Sequence, residues 1–401
     1  MTISVHTDPM ASIKQTKSGS YKAVVFTGPG MKGGEWRRQR QETKTFPTER
    51  AAKSWARKIE EQQETGTFVT PSKVTFGDYL TKWSAALATS DDLAPSTVFS
   101  YTKNIERHVL GRDIAGKALQ KVTTADLQDL YAELRQPGAN LRKGSEDKGL
   151  SPRTVAYIAT ILGRALKDAV NEGTLSTNPA LRARKPKGKT SRRGSVKAWS
   201  ADELSTYLRQ SAEENDRDHP LWLLIASTGV RRGEALGLRV RDVDLEAATI
   251  TITQTVIVID HEVQIGTAKT DAGARTVGLD DRTVMALKAH RKLRAKERLQ
   301  LGQGQASDED LFFASLDGGW MHPEAVSKRF DRRAARYKLP AIGVHGLRHT
   351  WATLALLAGV NPRVVQQRLG HSNVSVTLMI YSHVTAELDK SAAETVAALF
   401  A

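Results

Sequence analysis

One stretch of the chain is too densely charged to build an apolar core of its own. Between Arg182 and Lys197 stand eight basic residues, Arg182, Arg184, Lys185, Lys187, Lys189, Arg192, Arg193 and Lys197, interleaved with Pro, Gly and Ser and interrupted by no acid. Like charges at that density repel one another and stay hydrated. The segment therefore reads as a hinge between separately folded parts, lying either free in water or along a run of phosphates. At 401 residues the chain is also too long for one ordinary core, so two or three domains are expected.

Two blocks precede the hinge. Up to about residue 70, Tyr21–Thr27 and Trp36–Phe46 read as strands around a Gly/Pro turn at Gly28–Gly34, and a helix runs from an N-cap at Thr48 to a stop near Gly66. Arg37, Arg38, Arg40 and Lys44 beside Trp36 suit a sheet laid into a DNA groove as well as they suit a solvated sheet face. Residues 74–180 read as helical, with patterns over 75–87, 95–109 and 123–135. A further helix opens at Ser151-Pro152 and runs to Gly173. Its stripe of Ile158, Ile161, Leu162, Ala165, Leu166, Ala169 and Val170 is expected to be core.

After the hinge, a Ser200 N-cap opens a mixed block. Its helices flank a β region in which Thr249–Ile259 alternates polar and apolar residues, continuing through Val263–Thr267 and Arg275–Leu279. The expected class is α+β and multidomain: a small N-terminal β-sheet plus helix, a helical middle domain, and a mostly helical C-terminal domain with a small antiparallel sheet.

A net charge of +15 and a pI near 9.8 favour a polyanionic partner, nucleic acid before membrane, because each neutralised phosphate releases condensed counterions. The absence of cysteine excludes disulfides, thiolate metal sites and cysteine nucleophiles. Apolar runs such as Leu221–Ala226 are far too short to cross a bilayer, and Met1–Met10 has no apolar signal core. A cytoplasmic protein working where DNA is follows as the expectation.

The C-terminal block carries Thr228-Gly229-Val230-Arg231-Arg232-Gly233-Glu234, where an apolar helix stops at glycine and the next begins with an arginine in the turn. Later come His345-Gly346-Leu347-Arg348-His349, Leu369-Gly370-His371, and Tyr381 within Leu378-Met379-Ile380-Tyr381-Ser382-His383. In this order the residues resemble the tyrosine recombinase family, which includes phage integrases. The resemblance is strong over about 200–390 and covers 74–180 in general helical character. Residues 1–70 are only weakly similar to arm-binding domains of phage and conjugative-element integrases.

The resemblance implies an arm-type DNA-binding domain at 1–70, a core-binding domain at 74–180, a basic linker at 181–198, a catalytic domain at 199–390 and a tail at 391–401. It implies a site-specific recombinase that breaks and rejoins DNA through a 3′-phosphotyrosyl intermediate, integrating or excising a mobile element. Tyr381 would be the nucleophile and Arg231 and Arg348 the phosphate clamps. His345 would be the acid/base partner, His371 a further phosphate donor, and Lys269, in Thr267-Ala268-Lys269-Thr270-Asp271-Ala272-Gly273, the proton donor to the leaving 5′ oxygen. The implied partners are double-stranded DNA attachment sites, a homotetramer in the synaptic complex, and a host bending factor or excisionase, with no membrane partner, cofactor or metal. Ala386–Ala401 carries Leu388, Ala392, Val396, Leu399 and Phe400 at helical spacing, a stripe that must pack either on its own catalytic domain or, as the resemblance implies, on a neighbouring protomer.

The chemistry explains why such residues are needed. A phenol has a pKa near 10, so roughly a thousandth is phenolate at neutral pH, and positive groups must offset charge developing on the phosphate. A guanidinium gives paired hydrogen bonds to two phosphate oxygens, which a lysine cannot reproduce. Exchange through a phosphotyrosine conserves the bond energy and needs no nucleotide. His345 and His349 share a helix face as zinc ligands do, but Arg348 beside them disfavours a divalent cation. Glu234 and His349 are expected to support the arginine turn and its neighbours.

Two other readings are a non-enzymatic helix-turn-helix regulator, suggested by the short helices between Leu347 and Tyr381, and a Xer-type resolvase. The first has no use for Arg231, Lys269 and Tyr381 together. The second normally lacks the extra N-terminal block.

Overall fold

The computed structural model describes residues 11–32, 35–90, 92–141, 144, 147–186, 198–267 and 274–370. The chain divides into two compact units, Met1–Thr190 and Ser191–Ala401, parted inside the acid-free basic stretch.

The first unit opens with an antiparallel sheet of β1 (Ala11–Gln15), β2 (Tyr21–Lys32) and β3 (Glu35–Phe46), in that order. β1 was not foreseen: five residues are too few for a strand period to stand out. The turn expected over Gly28–Gly34 is shorter than that. β2 runs on to Lys32, and the register shifts at Gly28 and Gly30, where an irregular strand pair is bent rather than reversed. Helix α1 (Glu49–Glu64) starts where Thr48 Oγ1 accepts the Ala51 N–H at 3.3 Å, and it lays Ala56 and Ile59 on Val25. Gln63 Nε2 donates to the Phe26 carbonyl at 2.8 Å, fixing the helix to the sheet.

A separate core follows in the same unit, made by α2 (Phe76–Ala88), α3 (Pro95–His108), α4 (Thr124–Glu133) and α5 (Pro152–Asn171). Thr75, Thr123 and Ser151 cap α2, α4 and α5, each accepting a backbone N–H three residues on. The expected α5 stripe is core: Ile158, Ile161, Leu162, Ala165, Leu166 and Ala169 are at most 1% exposed, while Val170 is partly buried against them. Each fully buried Leu or Ile contributes about 1.5–3 kcal/mol.

The second unit contains α6 (Ala201–Glu213), α7 (His219–Thr228), α8 (Arg232–Leu236), β4 (Val243–Asp244), β5 (Thr249–Ile252), β6 (Gln254–Ile259), β7 (Glu262–Thr267), β8 (Arg275–Gly278), α9 (Asp281–Gln300), α10 (Pro323–Arg336), α11 (Gly343–Leu357) and α12 (Pro362–Leu369). The fold is α+β and multidomain. Two small antiparallel sheets stand in place of the single one expected: β4-β5-β8 and β6-β7. The alternating run Thr249–Ile259 divides at Thr253, whose hydroxyl accepts from Arg239 Nη2 at 2.8 Å. β5 pairs with β8, and β6 turns away to pair with β7.

Helix α7 is apolar and buried on every face through its middle, Leu221–Ala226, where Leu221, Trp222, Leu224 and Ile225 are at most 1% exposed. Trp199, Tyr207, Trp222 and Phe330 form an aromatic cluster beside it. The Trp199 backbone N–H donates to Thr350 Oγ1 at 2.9 Å and its indole N–H to the Pro340 carbonyl at 2.8 Å, tying the start of the unit to α11.

Candidate active site

The central helix α7 ends where the sequence pattern places the arginine turn. Gly229 is its C-cap, in the left-handed region at φ 69°, and a Cβ there would lie 2.6 Å from Leu369 Cδ2 and 2.9 Å from the Trp351 ring. Conformation and space both demand glycine, so α7 stops against α11 and α12. The chain then extends through Arg231, the N-cap of α8. Glu234 Oε2 accepts the Arg231 backbone N–H at 2.9 Å, and Oε1 accepts Arg231 Nη1 at 2.6 Å. Glu234 thus holds the arginine turn, as expected of it.

Arg348 lies on α11 at 2% exposure, with Nη1 donating to the Gly229 carbonyl at 2.7 Å and Nη2 to the Leu369 carbonyl at 2.8 Å. Arg231 Nη2 donates to the next carbonyl, Gly370, at 3.1 Å. Two arginines far apart in sequence are therefore brought to adjacent peptide oxygens at the end of α12. That end is electronegative, which suits cations. His345 lies one turn before Arg348 on α11, and its ring stands edge-on to that of His349 with centroids 4.7 Å apart. The structure thus gathers Arg231, Arg348 and His345. Lys269, His371 and Tyr381 lie outside the described residues, as does the tail at 391–401.

One member was missed by sequence reasoning. Arg275, at the start of β8, donates Nη2 to Glu234 Oε2 at 2.7 Å and Nε to the Arg368 carbonyl at 2.9 Å. It shares a strand face with the buried Val277. An arginine on the inward side of an alternating strand was the available signal, since such a charge needs a buried partner.

Electrostatics follow from this crowding of cations. Burial, then repulsion from Arg231, lowers the Arg348 guanidinium to about 9, partly offset by Glu234, so it stays charged at neutral pH. Burial alone would raise the Glu234 carboxyl, but hydrogen bonds and charge from Arg275, then Arg231, hold it below the usual carboxylate range. Desolvation, followed by repulsion from His349, Arg348, Arg231 and Arg232, lowers His345 to about 4, leaving it a neutral acceptor at pH 7.

A stability consequence follows. The unfolded chain binds the His345 proton near 6.5 and the folded protein only near 4, so acidification through that window favours unfolding. His345→Gln should accordingly lose less of its urea midpoint between pH 7 and pH 5 than the wild type does. Equal losses in the two proteins would contradict the lowered value.

Residues 198–387 match the phage integrase family. A XerC-like tyrosine recombinase of Caldanaerobacter subterraneus subsp. tengcongensis is 27% identical over 345 residues, covering 82% of this chain and 84% of the relative. A putative prophage phiRv2 integrase of Mycobacterium tuberculosis is 25% identical over 391 residues, 95% of this chain and 93% of the relative. Among solved structures, a lambda integrase tetramer bound to a Holliday junction aligns over 93% of this chain and 94% of that one, with a TM-score of 0.55 and 17% identity. That likeness concerns the fold, while the sequence matches carry the family and leave no room for a non-enzymatic regulator. The chain belongs to the phage integrase family of tyrosine recombinases, and it is a site-specific DNA recombinase.

Proposed function

We propose that the protein is an integrase that breaks and rejoins attachment-site DNA through Tyr381, with Arg231 and Arg348 clamping the scissile phosphate. The observation that supports this most is the delivery of both guanidiniums to neighbouring carbonyls, Gly370 and Leu369, immediately before His371. In the proposed step the Tyr381 phenol oxygen bonds to phosphorus as the 5′ oxygen leaves. The phenol proton passes to neutral His345, and Lys269 returns one to the leaving oxygen. His371 adds a donor to the phosphate. Rejoining runs the same steps backwards with the 5′ hydroxyl of the new partner strand.

The larger organisation follows the same reading. Residues 1–70 bind accessory arms, 74–180 and 199–390 clamp the crossover core, and 181–198 crosses between them as a basic linker. Four protomers assemble on two duplexes, as the lambda integrase tetramer does on its junction. The C-terminal stripe, Leu388 to Phe400, docks on a neighbour, and a bending factor or excisionase sets direction. The protein works on cytoplasmic DNA, and no described helix is long and apolar enough to cross a membrane. The block at 1–70 favours an integrase over a Xer-type resolvase.

The test uses duplexes carrying the junctions of the element adjoining the coding region. Wild-type protein should recombine two full sites and cleave a nicked core-only duplex in the presence of chelator. Removal of residues 1–70 should lower full-site recombination by about 100-fold or more, since a tethered second contact is lost, and leave core cleavage near the wild-type level. Failure of the truncated protein to cleave the core duplex would overturn the division of labour. Strict dependence of wild-type cleavage on a divalent ion would overturn the tyrosine mechanism.

A further inference from the structure

We infer that Arg275 is a positioning residue for strand exchange, joining the Arg231 turn, the strand that leaves the Lys269 segment and the end of α12 in one clamp. The inference rests on the catalytic roles proposed above for Arg231 and Lys269. Arg275 opens β8 on the C-terminal side of the segment that holds Lys269. Its side chain is 9% exposed and uses all three nitrogens: Nη2 to Glu234 Oε2 at 2.7 Å, Nη1 to Glu234 Oε1 at 3.3 Å, and Nε to the Arg368 carbonyl at 2.9 Å. No lysine can make those bonds together.

Three successive carbonyls at the end of α12 each accept from a different arginine. Arg368 takes Arg275, Leu369 takes Arg348, and Gly370 takes Arg231. Gly370 is itself left-handed at φ 65°, and a Cβ there would come within 3.0 Å of Arg275 Nη1. The turn that leads to His371 is thus built around the Arg275 guanidinium.

Charge gives the clamp a direct bearing on the reaction. Glu234 is 6% exposed and pairs with both Arg231 and Arg275. With Arg275 present, its one negative charge is shared between two cations, and Arg231 keeps charge to offer a phosphate. Without Arg275, the buried carboxylate falls to Arg231 alone and competes with the phosphate for the same guanidinium. An ordinary structural ion pair would alter folding without touching that competition.

The test compares Arg275→Gln, Arg231→Lys and their double variant by single-turnover adduct formation on a nicked core duplex at saturating protein. Half-site binding and folded fraction are measured alongside. Arg275→Gln should lower the adduct rate by about 30-fold or more while half-site affinity stays within about threefold. In the Arg231→Lys background the same change should cost less than about threefold, because the residue it acts through is already impaired. A wild-type rate, a rate loss that only tracks the folded fraction, or the full loss repeated in the Arg231→Lys background would overturn the inference. Should Arg275→Gln fail to fold, Arg275→Met, which likewise removes the charge from Glu234, carries the same comparisons with the same expected and overturning results. Absence of adduct from the wild type would instead fault the catalytic reading on which the inference stands.

Discussion

Replacing Arg348 with lysine is expected to cost both rate and stability, whereas the same change at Arg231 should cost rate almost alone. Arg348 spans two buried carbonyls on separate helix ends, Gly229 at 2.7 Å and Leu369 at 2.8 Å. A lysine ammonium is a single point and cannot reach both, so one acceptor is orphaned at about 1–3 kcal/mol. Lysine also starts about two pKa units lower than arginine, and the burial that lowers Arg348 to about 9 would drive it towards neutrality. Loss of a fixed donor to the phosphate should lower adduct formation about 100- to 1000-fold.

Arg231 differs because its side chain is 42% exposed and its partner Glu234 remains served by Arg275. Arg231→Lys should therefore shift stability by less than about 1 kcal/mol while slowing the reaction by a similar factor. Urea midpoints and single-turnover rates on a nicked core duplex separate the two cases. Equal midpoints for the two variants, or a wild-type rate for either, would contradict the geometry described.

What the sequence made legible follows the range of the interactions involved. The α5 stripe, the caps at Thr48, Ser151 and Ser200, and the Gly229 stop are set by neighbours within a turn or two, and all stand where local pattern puts them. The division of Thr249–Ile259 at Thr253 is marked only by a lapse in alternation at Thr253-Gln254-Thr255, and which strand each half pairs with is set by residues farther along the chain. Arg275 was hidden for a related reason: its place on the Val277 face of the strand shows that it needs a buried partner, but the carboxylate that serves it lies 41 residues away. The catalytic proposal for Lys269, His371 and Tyr381 rests on their order within the family pattern. Taken singly, a lysine after alanine, a histidine after glycine and a tyrosine after isoleucine carry no such message.

The largest effect should come from Tyr381→Phe. The change deletes only the oxygen that would bond to phosphorus, so binding to a core duplex should stay within about threefold of wild type while adduct formation disappears. No neighbouring hydroxyl should substitute, since serine and threonine alcohols are far weaker acids than a phenol.

The most direct measurement is peptide mapping of the wild-type adduct trapped on a nicked suicide duplex. Trypsin should release Leu369–Lys390 as one peptide containing Tyr381. After nuclease trimming, the account predicts a nucleotide remnant on that peptide, with fragment ions locating it at Tyr381 and no remnant recovered from Tyr381→Phe. A remnant on any other residue, or an undiminished adduct from the phenylalanine variant, would contradict it.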